Sequence, residues 1–152
     1  MNNRRQLIVL SFALVLVAGL AGISSAATLT GRVMMNHHPA SATVVAVPYD
    51  PLTRETNESQ AVVVPTDALG RFQMIVPEAN YVVAAWDGRD GAVVDSPTGT
   101  VTLNMTDQTP PNFRLACTQY CHCMHLVGNL YWMTIWDTCG VNFSYLMWGC
   151  RC

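Results

Sequence analysis

Lysine is missing altogether: the eight basic residues of this 152-residue chain are all arginines, and charged residues make up only 12% of it. The arginines are scattered, so no basic stripe exists to follow a phosphate backbone, and nucleic acid is excluded as an expected partner. Cysteine is absent from the first 116 residues. Apolar residues at helical spacing are also lacking beyond the N-terminus, which excludes a helical bundle. No G-x-S-x-G elbow, H-E-x-x-H pair, P-loop or dinucleotide fingerprint occurs. Scattered Ser, His and Asp residues do not assemble a triad in sequence, so the chain is expected to be no enzyme, with no catalytic residue.

What is present begins with one long apolar run. "MNNRR" is a short basic stretch, "LIVLSFALVLVAGLAGI" is uninterrupted and apolar, and "SSAA" supplies small residues. That order is expected of a Sec-type signal peptide over residues 1–26, with cleavage after Ala26, or after Ala27 as the rival. The arginine pair suits twin-arginine export less, because the run is so apolar. An uncleaved segment would be the chain's expected route to a membrane. Cleavage leaves roughly 125 residues, one small domain with an appendage, carrying a charge near −4 once Arg4 and Arg5 depart. The expected location is the cell surface, the periplasm or the medium.

From Thr28 to Leu115 the period is that of strands. "TLTGRVMM", "SATVVAVPY", "QAVVVPT", "RFQMIVP", "YVVAAW", "AVVD", "TGTVTLNMT" and "NFRLA" are short, rich in β-branched residues and separated by Gly, Pro, Asp and Asn clusters. Such a chain is expected to be all-β, an antiparallel sandwich or barrel. Gly70 is placed for the positive φ of a hairpin turn, and Asp67 for bonds from that turn's amides. Phe72 and Tyr81 are expected to point inward from neighbouring strands as a cross-strand pair. Because its strands and turns are complete, this unit is expected to fold without the rest.

The order of these features resembles the carboxypeptidase regulatory-like family. An opening Gly-x-Val strand (Gly31-Arg32-Val33) precedes an Ala-x-Val strand (Ala42-Thr43-Val44). A D-x-x-G-x-F hairpin follows (Asp67, Gly70, Phe72), then a Tyr-x-Val strand (Tyr81-Val82-Val83). The resemblance covers residues 28–115 and implies a transthyretin-like, Greek-key β-sandwich. It further implies a non-catalytic accessory role in binding or structure at the cell surface, with a protein or carbohydrate partner. Ala79 stands at a turn where the family often has Gly.

Residues 117–152 differ in kind: they hold all six cysteines and three of the four tryptophans. In an exported chain, Cys117, Cys121, Cys123, Cys139, Cys150 and Cys152 read first as a disulfide set, since so short a segment lacks the core to stand unstapled. At least one bridge is expected to join "CTQYCHC" to the later cysteines, with His122 and His125 as bystanders. Fifteen pairings exist, and sequence does not choose among them.

An alternative is a redox protein holding Zn or Cu through Cys117, Cys121, Cys123, His122 and His125. A haem would instead use the near-miss of C-x-x-C-H in "CTQYCH". A third reading is a fragment of a longer secreted protein with an unselected tail. The expected cofactor is none. Tyr131, Trp132, Trp136, Tyr145 and Trp148 are expected to fill the tail's own core, with stacking on a sugar or partner as the rival use. Elsewhere, His37 and His38 read as solvated turn residues, and Asp87, Asp90 and Asp95 as turn formers rather than calcium ligands.

Overall fold

The computed structural model describes residues 25–95, 97, 99–109 and 116–151. The signal-peptide reading over residues 1–26 and the strand expected over residues 112–116 fall almost wholly outside them, as does Cys152.

The described chain is almost all β. Strand β1 (Ala26–Met35) meets β2 (His38–Pro39) through a tight hairpin in which Asn36 and His37 both have positive φ, 50° and 65°. His37 and His38 are exposed there. Then come β3 (Thr43–Pro48), a short 3₁₀ turn (Glu58–Gln60), β4 (Val62–Pro65), β5 (Arg71–Pro77), β6 (Tyr81–Trp86), β7 (Asp90–Asp95) and β8 (Thr100–Asp107). These form one eight-stranded sheet: seven strands follow the path β2-β1-β8-β7-β6-β3-β4, and β5 lies off it, paired with β1. All pairings are antiparallel except β1 with β8, which run parallel because the whole intervening chain is the crossover between them.

Only two residue pairs, Asp90–Asp107 and Gly91–Thr106, join β7 to β8. There the sheet divides into two layers, β5-β1-β8 and β7-β6-β3-β4. Between them lies a core of Leu29, Val33, Val44, Val83, Met74 and Leu103 with their neighbours. Strand β5 shows why it faces this way: Phe72, Met74 and Val76 are buried while Arg71, Gln73 and Ile75 are exposed, the alternation of a one-sided strand.

Phe72 and Tyr81 both enter this core, but not as a cross-strand pair. Strand β5 pairs with β1, and β6 with β3 and β7, so the two rings belong to different layers. Phe72 instead lies over Gly31: a Cβ at Gly31 would come 2.5 Å from the Phe72 Cζ. The Tyr81 hydroxyl donates to the Pro77 carbonyl, and burial raises its pKa. Gly70 has a φ of 69°, and a Cβ there would meet the Val33 carbonyl oxygen at 2.5 Å. Asp67 Oδ1 accepts from the amides of Leu69 and Arg71, both at 2.8 Å. Those bonds, the Arg71 amide first, hold the Asp67 carboxyl below its usual pKa.

The C-terminal segment forms β9 (Gln119–Val127), β10 (Leu130–Asp137) and β11 (Asn142–Trp148), a sheet ordered β11-β10-β9. It does not build a core of its own. Met124, Leu126, Leu130 and Leu146 pack against Val45, Val47, Tyr49, Val82 and Ala84 on the far face of β3 and β6. The middle layer is therefore covered on both sides, and the described residues form three layers. The 28–115 unit and the tail thus share a core, because β3 and β6 are continuous apolar runs buried on both faces.

Candidate functional site

The cysteines resolve into bridges. Cys117 is joined to Cys139 and Cys123 to Cys150. Cys121 is also disulfide-bonded, and no described cysteine is free. Both described bridges tie the "CTQYCHC" stretch to the later cysteines. A thiol in a disulfide is not a thiolate ligand, so these residues do not offer the donors that Zn, Cu or haem attachment would use. Disulfides of this kind belong to an oxidising, extracellular-type environment.

The two histidines part company. His122 is exposed, whereas His125 is the centre of a clip. Its Nδ1 lies 3.5 Å from Glu58 Oε2, its Nε2 lies 2.8 Å from the Gly128 carbonyl, and its ring sits 4.8 Å from that of Tyr131. The Gly128 amide donates to Glu58 Oε1 at 2.6 Å, and the Thr56 hydroxyl donates to the His125 carbonyl at 2.6 Å. His125 is thus no bystander: it fixes the loop over residues 50–60 to the turn between β9 and β10. Sequence could not have shown this, since 67 residues or more separate the partners.

Of the aspartates considered for calcium, Asp87 serves backbone geometry and Asp95 holds side chains. Asp87 Oδ1 accepts from the amides of Arg89 and Asp90 at 2.9 and 2.8 Å, while Asp95 takes the Tyr49 hydroxyl and Arg54 Nη1. Among the described residues no group of three or more His, Cys, Asp or Glu side chains gathers as a metal site.

The aromatic residues divide likewise. Trp132 packs against the core between the middle layer and the third sheet, and Tyr145 is buried, which raises its pKa. Trp136, with Tyr120 stacked on it at 5.9 Å between centroids, is exposed. Trp148 is the extreme case at 66% exposure. It stands at the end of β11 beside a groove of about 480 Å3. Trp86, at the end of β6, lines the same groove, with Ser41, Thr43, Thr66 and Asp87 supplying its polar rim. Two indoles with hydroxyl and carboxylate groups between them suit a ligand with flat apolar faces and peripheral hydroxyls.

The chain builds this groove from distant pieces. Trp86 pairs with Thr43 across the sheet, and Thr66 Oγ1 accepts from the Ala42 amide at 3.0 Å, fixing the floor. Trp148 pairs with Leu130, and two residues later Cys150 is bridged to Cys123, so its strand end is stapled. Trp86 closes a strand whose other five residues are buried, and its position there was the signal available in sequence. No family model, curated protein or solved structure matches this chain.

Proposed function

We propose that this protein is an exported, non-catalytic β-sandwich module that binds saccharide at the cell surface as an accessory to other proteins. The observation that carries this reading is the groove between Trp86 and Trp148, with the latter's indole largely exposed on a stapled strand end. An indole held open to solvent on a rigid scaffold provides a stacking platform at little ordering cost. The disulfides support export, as does the basic-then-apolar N-terminus. The carboxypeptidase regulatory-like reading, with its Greek-key connectivity, is part of this proposal. It is supported by the positive φ of Gly70, the Asp67 turn and the approach of Phe72 to Gly31.

The test is titration of the oxidised protein with neutral cello-, manno- and xylo-hexaose, read by tryptophan fluorescence and calorimetry. Binding of at least one, lost in Trp148→Ala with the melting temperature retained, is the expected result. Absence of binding to all three, or equal binding by the variant, would overturn the reading.

A further inference from the structure

The outer face of the β5-β1-β8 layer carries a different chemistry. Arg32 on β1 and Arg71 on β5 are direct partners across the ladder, and both are exposed. Like charges directly opposite on a sheet repel, and the single Asp67 carboxylate beside them, which attracts both guanidiniums, offsets only one of the two charges. Arg54 and Arg89 each face a carboxylate, Asp95 at 3.4 Å and Asp107 at 4.0 Å. Arg71 has Asp67 at 3.5 Å from its Nε, but among the described residues no carboxylate lies within ion-pair distance of Arg32. One net positive charge is left over at this spot, on a chain whose total is −2.

The two arginines border an open cavity of about 600 Å3. Beside them in the ladder stand Thr102, opposite Arg32, and the facing pair of Thr30 and Gln73. Thr30 and Thr100 are held together by a hydroxyl–hydroxyl bond of 3.2 Å. The face therefore combines a guanidinium pair with a short row of hydroxyls and a carboxamide, all on paired strands rather than mobile loops.

We propose that this face binds the carboxylate of an acidic, uronate-type saccharide. Arg32 and Arg71 grip the carboxylate, while Thr30, Thr102 and Gln73 bond the neighbouring sugar hydroxyls. A guanidinium matches a carboxylate through two parallel N–H bonds, which a single lysine ammonium would not. Asp67 decides between anions. Its own negative charge inside the cluster leaves room for one further charge, so a monoanionic carboxylate is neutralised where a dianionic phosphate is opposed. The hydroxyl row fits a ligand bearing several hydroxyls beside its charge. This site is separate from the Trp86–Trp148 groove and does not depend on it.

The experiment uses the full oxidised chain with trigalacturonate and its methyl ester, titrated by calorimetry at 20 mM and 150 mM salt. Trigalacturonate should bind, the uncharged ester should bind at least tenfold more weakly, and added salt should weaken the acid alone. Arg32→Gln should lose at least tenfold in affinity while melting close to the parent, since relief of the repulsion with Arg71 offsets the lost attraction to Asp67. Trp148→Ala should leave trigalacturonate affinity unchanged, which separates this site from the groove. No binding of the acid, equal binding of the ester, or an Arg32→Gln variant with parental affinity would each overturn the proposal.

Discussion

The seam between the middle layer and the C-terminal sheet can be probed at one atom pair. Gly91 on β7 lies under Leu146 of β11: a Cβ at Gly91 would come 2.7 Å from Leu146 Cδ1, 3.0 Å from Trp86 Cε3 and 3.1 Å from the Ala85 carbonyl. Gln108 sews the same spot, its Nε2 donating to the Gly91 carbonyl at 2.9 Å and its Oε1 accepting from the Leu146 amide at 2.7 Å. Gly91→Ala therefore inserts a methyl group into an occupied space, costing about 1–3 kcal/mol. The stiffer unfolded chain offsets about 0.4–1 kcal/mol of that, because Gly91 does not have a positive φ. Leu146 is only 1% exposed, so Leu146→Ala should cost about 2–5 kcal/mol through lost burial and a residual cavity.

The two changes together should cost less than their sum. Removing Cδ1 frees the volume that the new methyl needs, and the methyl fills part of the cavity that Leu146 leaves. A coupling of about 1 kcal/mol or more is expected, short of full rescue because the Ala85 carbonyl stays where it is. Urea unfolding of the oxidised parent, both single variants and the double variant measures it, given a common m-value. Strict additivity, within about 0.3–0.5 kcal/mol, would show that Leu146 is not seated on Gly91, and the three-layer arrangement would lose its support.

Other consequences are simpler. A chain ending at Ala116 would bare Val45, Val47, Tyr49 and Val82, so it should bind a hydrophobic dye and self-associate; a monomeric, dye-silent product would contradict the shared core. Gly70→Val should destabilise by more than about 1 kcal/mol, since a β-branched residue resists a φ of 69° and would meet the Val33 carbonyl; an unchanged melting temperature would refute it. Replacing the Cys117–Cys139 or Cys123–Cys150 pair by alanines should each cost about 3–4 kcal/mol in the chain-entropy account, for sequence separations of 22 and 27 residues. Non-reducing peptide mapping of exported protein checks the pairs directly, and six alkylatable thiols would overturn them.

The legible part of the fold was the part with one face in water. In "RFQMIVP" the alternation of Phe72, Met74 and Val76 with Arg71, Gln73 and Ile75 announces a strand and its inner face together. "TVVAVP" and "YVVAAW" have no polar phase, and that was the overlooked sign that their layer lies between two others. An unbroken apolar run fits a strand of any depth, so the tail was read as an appendage with a core of its own and nothing to cover. The Cys-rich character of the tail was plain, but its connectivity was not, since pairing depends on which strand ends meet. Gln108 carried no local pattern at all: its partners, Gly91 and Leu146, lie 17 and 38 residues away. The groove was half visible, because Trp148 stood out in the tail while Trp86 looked like another strand residue.

The tail's two faces explain why it needs bridges and a neighbour. A lone three-stranded sheet has two sides and can bury neither by itself. Its inner side, Met124, Leu126, Leu130 and Leu146, is covered by β3 and β6. The outer side has no fourth layer among the described residues, yet Met133 there is fully buried. Cys123 Sγ lies 3.5 Å from Met133 Sδ, so the Cys123–Cys150 bridge sits against that outward face and supplies apolar cover where a further sheet would otherwise be required. The Cys117–Cys139 bridge does its work at the sheet's end, where Cys139 follows Asp137. The buried Asp137 Oδ1 accepts from the amides of Cys139 and Val141, both at 2.9 Å, closing the turn into β11. Cys117 then anchors the chain entering β9 to that turn. The staples thus act as packing material and as register pins at once, and they hold Trp148 at a fixed strand end beside Trp86.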